Sequence, residues 1–167
     1  MSRDSYFEKH NLSPVFLGHE LGVLRDKIAS QGDEFLKRQG LSFPSRLCST
    51  LIVIKENQPV TSAEIGRLLD IVHQHVTQRV NRLIDLGLVY RQVNRQDSRQ
   101  KDLLLTPEGE TQVRQMYRCL ELIRQSYEQW FEELDVDLSS AVRRALESLE
   151  SVTIEERADR FNQPEES

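Results

Sequence analysis

Residues 91–109 read RQVNRQDSRQKDLLLTPEG, and no other stretch of the chain limits its fold as much. A polar interval carrying Arg91, Arg95, Arg99 and Lys101 runs into the apolar triplet Leu103-Leu104-Leu105, and a helix start follows at once. Just upstream, LVYRQV at 88–93 has the β-branched and aromatic content of a strand. The interval before Leu103 is too long for a tight turn, so two strands joined by an extended hairpin tip are expected. Thr106-Pro107-Glu108 then supplies a cap, a first-turn proline and an early carboxylate that suits the positive end of a helix dipole. Basic charge is thus carried on a hairpin directly before a long helix.

The residues ahead of the hairpin carry equally definite signals. Thr61-Ser62-Ala63-Glu64 fits a capping box, in which the threonine oxygen accepts an amide and the glutamate reaches back. A brief helix over Ser62 to Leu69 should bury Ile65, Leu68 and Leu69. A second helix follows from Val72 or His73 to about Leu86, and Gly87 stops it because glycine accepts the left-handed conformation of a helix end. Further upstream, Leu17, Leu21, Leu24, Ile28 and Phe35 form one stripe of a long amphipathic helix between Leu12 and Leu36, ended by Gly40. Pro44 suits the first turn of a short helix with Leu47, Leu51 and Ile54 on one face.

Downstream of the hairpin, Val113, Met116, Tyr117, Leu120, Ile123, Tyr127, Trp130, Phe131 and Leu134 keep helical spacing. A last helix from about Ser139 to Val152 carries Val142, Leu146 and Leu149 on one face, and the acidic end EERADRFNQPEES is expected to fray. The order predicts a mainly α fold of about six helices and a two-stranded wing, a winged helix-turn-helix with long flanking helices. The expected division is an N-terminal arm and first dimerisation helix at 1–43, a DNA-binding domain at 44–106, dimerisation helices at 107–154 and an acidic tail at 155–167.

Charge is distributed unevenly along this order. The whole chain of 167 residues carries −5, yet between 67 and 101 seven bases face three acids, a local +4. Such a basic middle between acidic flanks can concentrate positive potential on one surface. Solvated faces or chance would give the same count. Setting residues about 100° apart from Val76 puts Val80 and Leu83 on one side of the second helix, with Ile84 at its flank. The other arc holds Gln74, Gln78, Asn81 and Arg82, with His73, His75 and Thr77 in the same stretch. These are side-chain types that hydrogen-bond base edges and phosphates, and Asp85 lies one turn further along.

The span from about Thr61 to Gly109 resembles the winged-helix domain of the MarR family of transcription regulators. AEIGRLLDI, VTQRVNRLIDLGLVYR, the DSR at 97–99 and LLLTPEG at 103–109 carry the resemblance. It implies a homodimer built by the first helix and the last two, binding double-stranded DNA at a pseudo-palindromic operator. It further implies that Arg99 enters the minor groove, that Asp97 holds the wing in shape, and that 73–82 is the recognition helix. Arg91, Arg95 and Lys101 would then contact phosphates. The chain departs from the family pattern at Asp70, where glycine is frequent, and at Val72, where a capping serine is frequent. Family members often bind small aromatic or phenolic anions; here Arg25, Arg46, His19 or Tyr117 could take part, with no motif to locate a pocket. A repressor relieved by such a ligand is the implied function.

Other chemistries find little support in the residues. His73 and His75 point roughly 200° apart on a helix and do not share a metal readily. No glycine-rich phosphate loop, GxSxG or HExxH is present, so neither an enzyme nor a cofactor is expected. Cys48 and Cys119 read either as small buried hydrophobes or as redox sensors. No apolar run spans a membrane and no signal peptide opens the sequence, so a cytoplasmic protein is expected. The remaining alternative is a winged-helix adaptor that binds another regulator without an operator of its own.

Overall fold

The structure, a computed structural model, describes residues 13–94 and 97–162. The chain divides into two compact units, one reaching to Cys119 and the other starting at Leu120.

In the first unit, α1 (Leu17–Arg38) follows a single 3-10 turn at Ser13–Phe16, and Leu12 lies outside the described residues. Pro44 opens another 3-10 turn, Ser45–Leu47, rather than α-helix proper, and α2 (Cys48–Asn57) continues from it. The capping box at Thr61 is complete: the Glu64 amide donates to Thr61 Oγ1 at 3.3 Å, and Glu64 Oε2 accepts from the Thr61 amide at 2.8 Å. It starts α3 (Ser62–Leu69), which packs on α4 (His73–Asp85). Asp70 ends α3 in the left-handed region at φ +50°. Glycine is favoured there, but aspartate is among the residues that tolerate this conformation, so the departure from the family pattern keeps the turn. Gly40 and Gly87 take φ +81° and +71° at the exits of α1 and α4.

The hairpin is larger by one strand than the sequence predicts. β2 (Val89–Val93) pairs with β3 (Lys101–Leu105), whose other edge takes a two-residue strand, β1 (Val60–Thr61). The antiparallel order is β1-β3-β2, with Val60 opposite Leu103 and Val89 opposite Leu105. Val60 is buried by this pairing, and no alternating pattern can reveal a strand of two residues.

Beneath the sheet and helices, Leu36, Leu51, Ile54, Ile65, Val76, Val80, Leu83, Leu88, Leu103, Val113 and Met116 are fully buried. Each large aliphatic side chain removed from water contributes about 1.5–3 kcal/mol, which is what holds the short helices in place. Leu68 differs from expectation: it is 52% exposed, because Ile65 alone on α3 meets the core squarely.

The exit of the hairpin is fastened twice. Thr106 Oγ1 accepts from the Gly109 amide at 2.9 Å and donates to the Gly87 carbonyl at 2.7 Å. A Cβ at Gly109 would collide with the Leu88 carbonyl oxygen, so the first turn of α5 (Pro107–Glu133) can lie against this strand only as glycine. A polar joint ties the same turn to α2. Gln58 accepts from the Leu105 amide at 2.9 Å and donates to Glu110 at 3.1 Å, while Lys55 pairs with Glu110 at 2.6 Å.

In the second unit, the later half of α5 carries Tyr127, Trp130 and Phe131, whose ring centroids lie 5.9–6.2 Å apart. Asp137 caps α6 (Leu138–Ser151) by accepting from the Ser140 amide at 3.0 Å. The expected fraying of the tail does not hold through its first residues. Thr153 and Glu156 form a second capping box, which starts α7 (Ile154–Asp159); residues 163–167 lie outside the described residues. Seven α-helices are therefore described, against about six expected.

Candidate nucleic-acid interface

The outward face of α4 is set by how the helix is anchored. Val76, Val80 and Leu83 are fully buried, so the opposite arc must face outward. His73, Gln74, His75, Gln78, Asn81 and Arg82 are exposed along that arc, and Thr77 is half-buried at its edge, 3.5 Å from His73 Nδ1. Asp85 is exposed at the last position of the helix. Val72 precedes α4 without a side-chain cap, so no hydroxyl or carboxylate covers its first amides.

The wing is coupled to this helix at its base. Arg91 on β2 donates through Nη2 to Asn81 Oδ1 at 2.6 Å. With its oxygen engaged, Asn81 keeps its amide NH2 as the donor available to an acceptor such as a purine N7. Lys101 is exposed on β3 opposite Val93.

The tip is held by a small set of directed bonds. Asp97 Oδ1 accepts from the Arg99 amide at 3.0 Å, and Oδ2 accepts from Gln100 Nε2 at 3.1 Å. The Asp97 amide donates to Asn94 Oδ1 at 2.9 Å, and Asn94 Nδ2 donates to the buried Asp102 at 2.8 Å. A carboxylate and an amide side chain replace the regular ladder at the tip, which is how such residues hold turns. Arg99 sits exposed at the crest of that turn. Arg95 lies outside the described residues.

Two cationic side chains that sequence reasoning had not assigned to this face adjoin it. Arg79 on α4 donates through Nη1 to Ser49 Oγ on α2 at 3.3 Å. Arg46, in the 3-10 turn before α2, joins Leu47, His75, Gln78, Arg79 and Arg82 around a hollow of about 290 Å³. No local motif marks Arg46, because its neighbours on α4 come together only through the fold.

Among the other side chains considered for an anionic effector, Arg25 pairs with Asp26 at 2.9 Å and Tyr117 donates to Glu56 at 2.9 Å. His19 is exposed on α1. Burial, reinforced by the Asp33 carboxylate, pushes the Cys48 thiol up to about 11, and burial raises Cys119 as well. Both sulfurs are therefore mostly protonated at neutral pH, the state of a packing residue rather than a nucleophile. No group of three or more His, Cys, Asp or Glu that could hold a metal occurs among the described residues. No described helix is long and apolar enough to cross a membrane.

A capped short helix, a turn, a second helix with a polar outer face and a hairpin with a bonded tip define a winged helix-turn-helix. Residues 44–100 match the MarR family model. No curated protein matches the chain. Solved structures share its fold. MepR from S. aureus in a DNA complex is 21% identical, with 79% of this chain and 97% of that one covered and a TM-score of 0.67. A mutant MarR from E. coli complexed with operator DNA is 19% identical over 84% of this chain and 99% of its own, with a TM-score of 0.64. The transcriptional repressor CouR, bound to a 23-mer DNA duplex, is 22% identical over 86% and 95%, with a TM-score of 0.61.

Proposed function

We propose that the chain is a sequence-specific regulator of transcription that binds double-stranded DNA as a homodimer, with α4 in the major groove and the wing in the adjacent minor groove. The observation that carries this reading is the outward arc of α4: Gln74, Gln78, Asn81 and Arg82 in one row, with no acid before Asp85 and Arg91 bonded to Asn81 from the wing. Amide and guanidinium side chains suit base edges in the major groove, and the exposed Arg99 suits the enhanced negative potential of a narrow minor groove. That MepR, MarR and CouR were each solved with DNA supports the same assignment.

The homodimer is supported by apolar surface outside the winged domain. Leu17 and Leu21 on α1 and Val142, Leu146 and Leu149 on α6 are all at least 45% exposed. Residues 1–43 and 107–154 are accordingly assigned to pairing, and 44–106 to DNA. Two-fold symmetry then requires a pseudo-palindromic operator. The family resemblance supports repression relieved by a small aromatic or phenolic ligand, which would act by changing the separation of the two recognition helices.

Selection of bound duplexes from a random pool tests the reading. An enriched inverted repeat is the expected result. A pool left unchanged after repeated rounds would exclude a sequence-specific regulator and favour a winged helix that binds protein.

A further inference from the structure

The hollow beside α4 is lined by three arginines drawn from two parts of the fold. Arg79 and Arg82 come from α4, and Arg46 from the 3-10 turn ahead of α2, with His75 and Gln78 completing the polar wall and Leu47 the apolar one. Among the described residues, none that lines it is an acid. Among the described residues the ion pairs are Arg25–Asp26, Lys55–Glu110 and those of Arg124 with Glu121 and Glu128, and none of them involves Arg46, Arg79 or Arg82. The nearby acid on α1, Asp33, bonds the backbone instead of an arginine: its Oδ1 accepts from the Ser45 amide at 2.6 Å. Arg79 is oriented by its bond to Ser49. Three like charges around one concavity repel each other unless an anion lies among them, and guanidinium forks match a tetrahedral oxyanion.

We infer that this hollow seats a phosphate group and that Arg46 is a phosphate-binding residue supplied from outside both the recognition helix and the wing. His75, Gln78 and Arg82 belong at once to the hollow and to the outward arc of α4. A duplex lying along α4 therefore presents its backbone to the same opening. The source of the phosphate as DNA rests on the function proposed above; the seat itself does not. Arg46 sets affinity and register but not sequence preference, since phosphate contacts carry no base information.

Two titrations of the full chain test this. In the first, a labelled mixed-sequence duplex is titrated at several salt concentrations with the parent, Arg46→Ala, Arg46→Lys and, as control, Arg118→Ala from the exposed side of α5. For a backbone phosphate, Arg46→Ala makes the logarithmic salt dependence shallower by about one unit per bound protomer. Arg46→Lys, which keeps the charge, restores that slope, and Arg118→Ala matches the parent. In the second, thermal unfolding is followed with inorganic phosphate against sodium chloride of equal ionic strength. Loss in Arg46→Ala of a phosphate-specific rise in Tm, with an unchanged DNA slope, identifies a free phosphate as the occupant. A parent that binds no DNA but shows this Arg46-dependent rise removes the DNA reading and keeps the seat. Parent-like behaviour of Arg46→Ala in both titrations overturns the inference.

Discussion

Helices α4 and α6 are nearly equal in length, and each carries apolar residues on one face, yet they end in opposite environments. α4 sets Val76, Val80 and Leu83 wholly out of water. α6 buries no residue, and Val142, Leu146 and Leu149 stay 46%, 57% and 46% exposed. Periodicity therefore tells which face of a helix is apolar, not what covers it. Around α4 the cover comes from within the first unit, so its polar arc is free for a ligand. On α6 the apolar face is itself the free surface. Covering a leucine there would contribute about 1.5–3 kcal/mol, the driving force assigned here to a second copy of the chain.

The largest test of this contrast is a matched pair of truncations. Leu83→Ala should lower unfolding free energy by about 2–5 kcal/mol at every protein concentration, because it leaves a cavity in a closed core. Leu146→Ala should instead weaken the concentration dependence of unfolding and leave the dilute chain close to the parent. Equal losses at all concentrations for Leu146→Ala, read from denaturant titrations, would mean that α6 is covered within its own chain.

A smaller effect is expected on the free arc and its wing. Arg99→Ala should weaken binding to a selected duplex by about 1–3 kcal/mol and leave thermal unfolding unchanged. Unaltered affinity at one fixed salt concentration would remove the wing from the interface. The smallest effects concern two glutamates on α5. Bonds from Lys55 and Gln58 hold Glu110 below the usual carboxylate range, in a partly covered joint. Its contribution should be complete above the ordinary glutamate value and lost as pH falls through its lowered value. Glu110→Gln should thus cost less than about 1 kcal/mol near neutrality and approach the parent in strong acid. Arg124 and Gln125 hold Glu121 at about 2, but on a fully solvated surface, so Glu121→Gln should not shift unfolding measurably. A larger loss from Glu121→Gln than from Glu110→Gln in urea titrations would reverse this ordering.

The winged domain was legible because its signals are local. Thr61-x-x-Glu64, Gly87 and Thr106-Pro107 mark ends through bonds made within a few residues, and α3 and α4 begin and stop where these predict. Thr153-x-x-Glu156 is the same pattern as Thr61-x-x-Glu64, and it starts α7 within a segment whose acidic, polar composition predicts fraying. β1 is too short to have a period, and its existence depends on Leu103, more than forty positions away. Leu68, expected in the core, stays exposed because α3 is only eight residues long and turns one narrow face inward. At the candidate site, the outward arc of α4 followed from Val76 and Val80. The Arg91–Asn81 bond and the approach of Arg46 to α4 did not, since both depend on how separate elements dock.

If α4 faces DNA and the apolar face of α6 pairs two copies, as proposed, native mass spectrometry on the selected duplex tests both at once. It should show two chains of 19.5 kDa on each duplex, and Leu146→Glu should abolish that species. One chain per duplex, unchanged by Leu146→Glu, would contradict it.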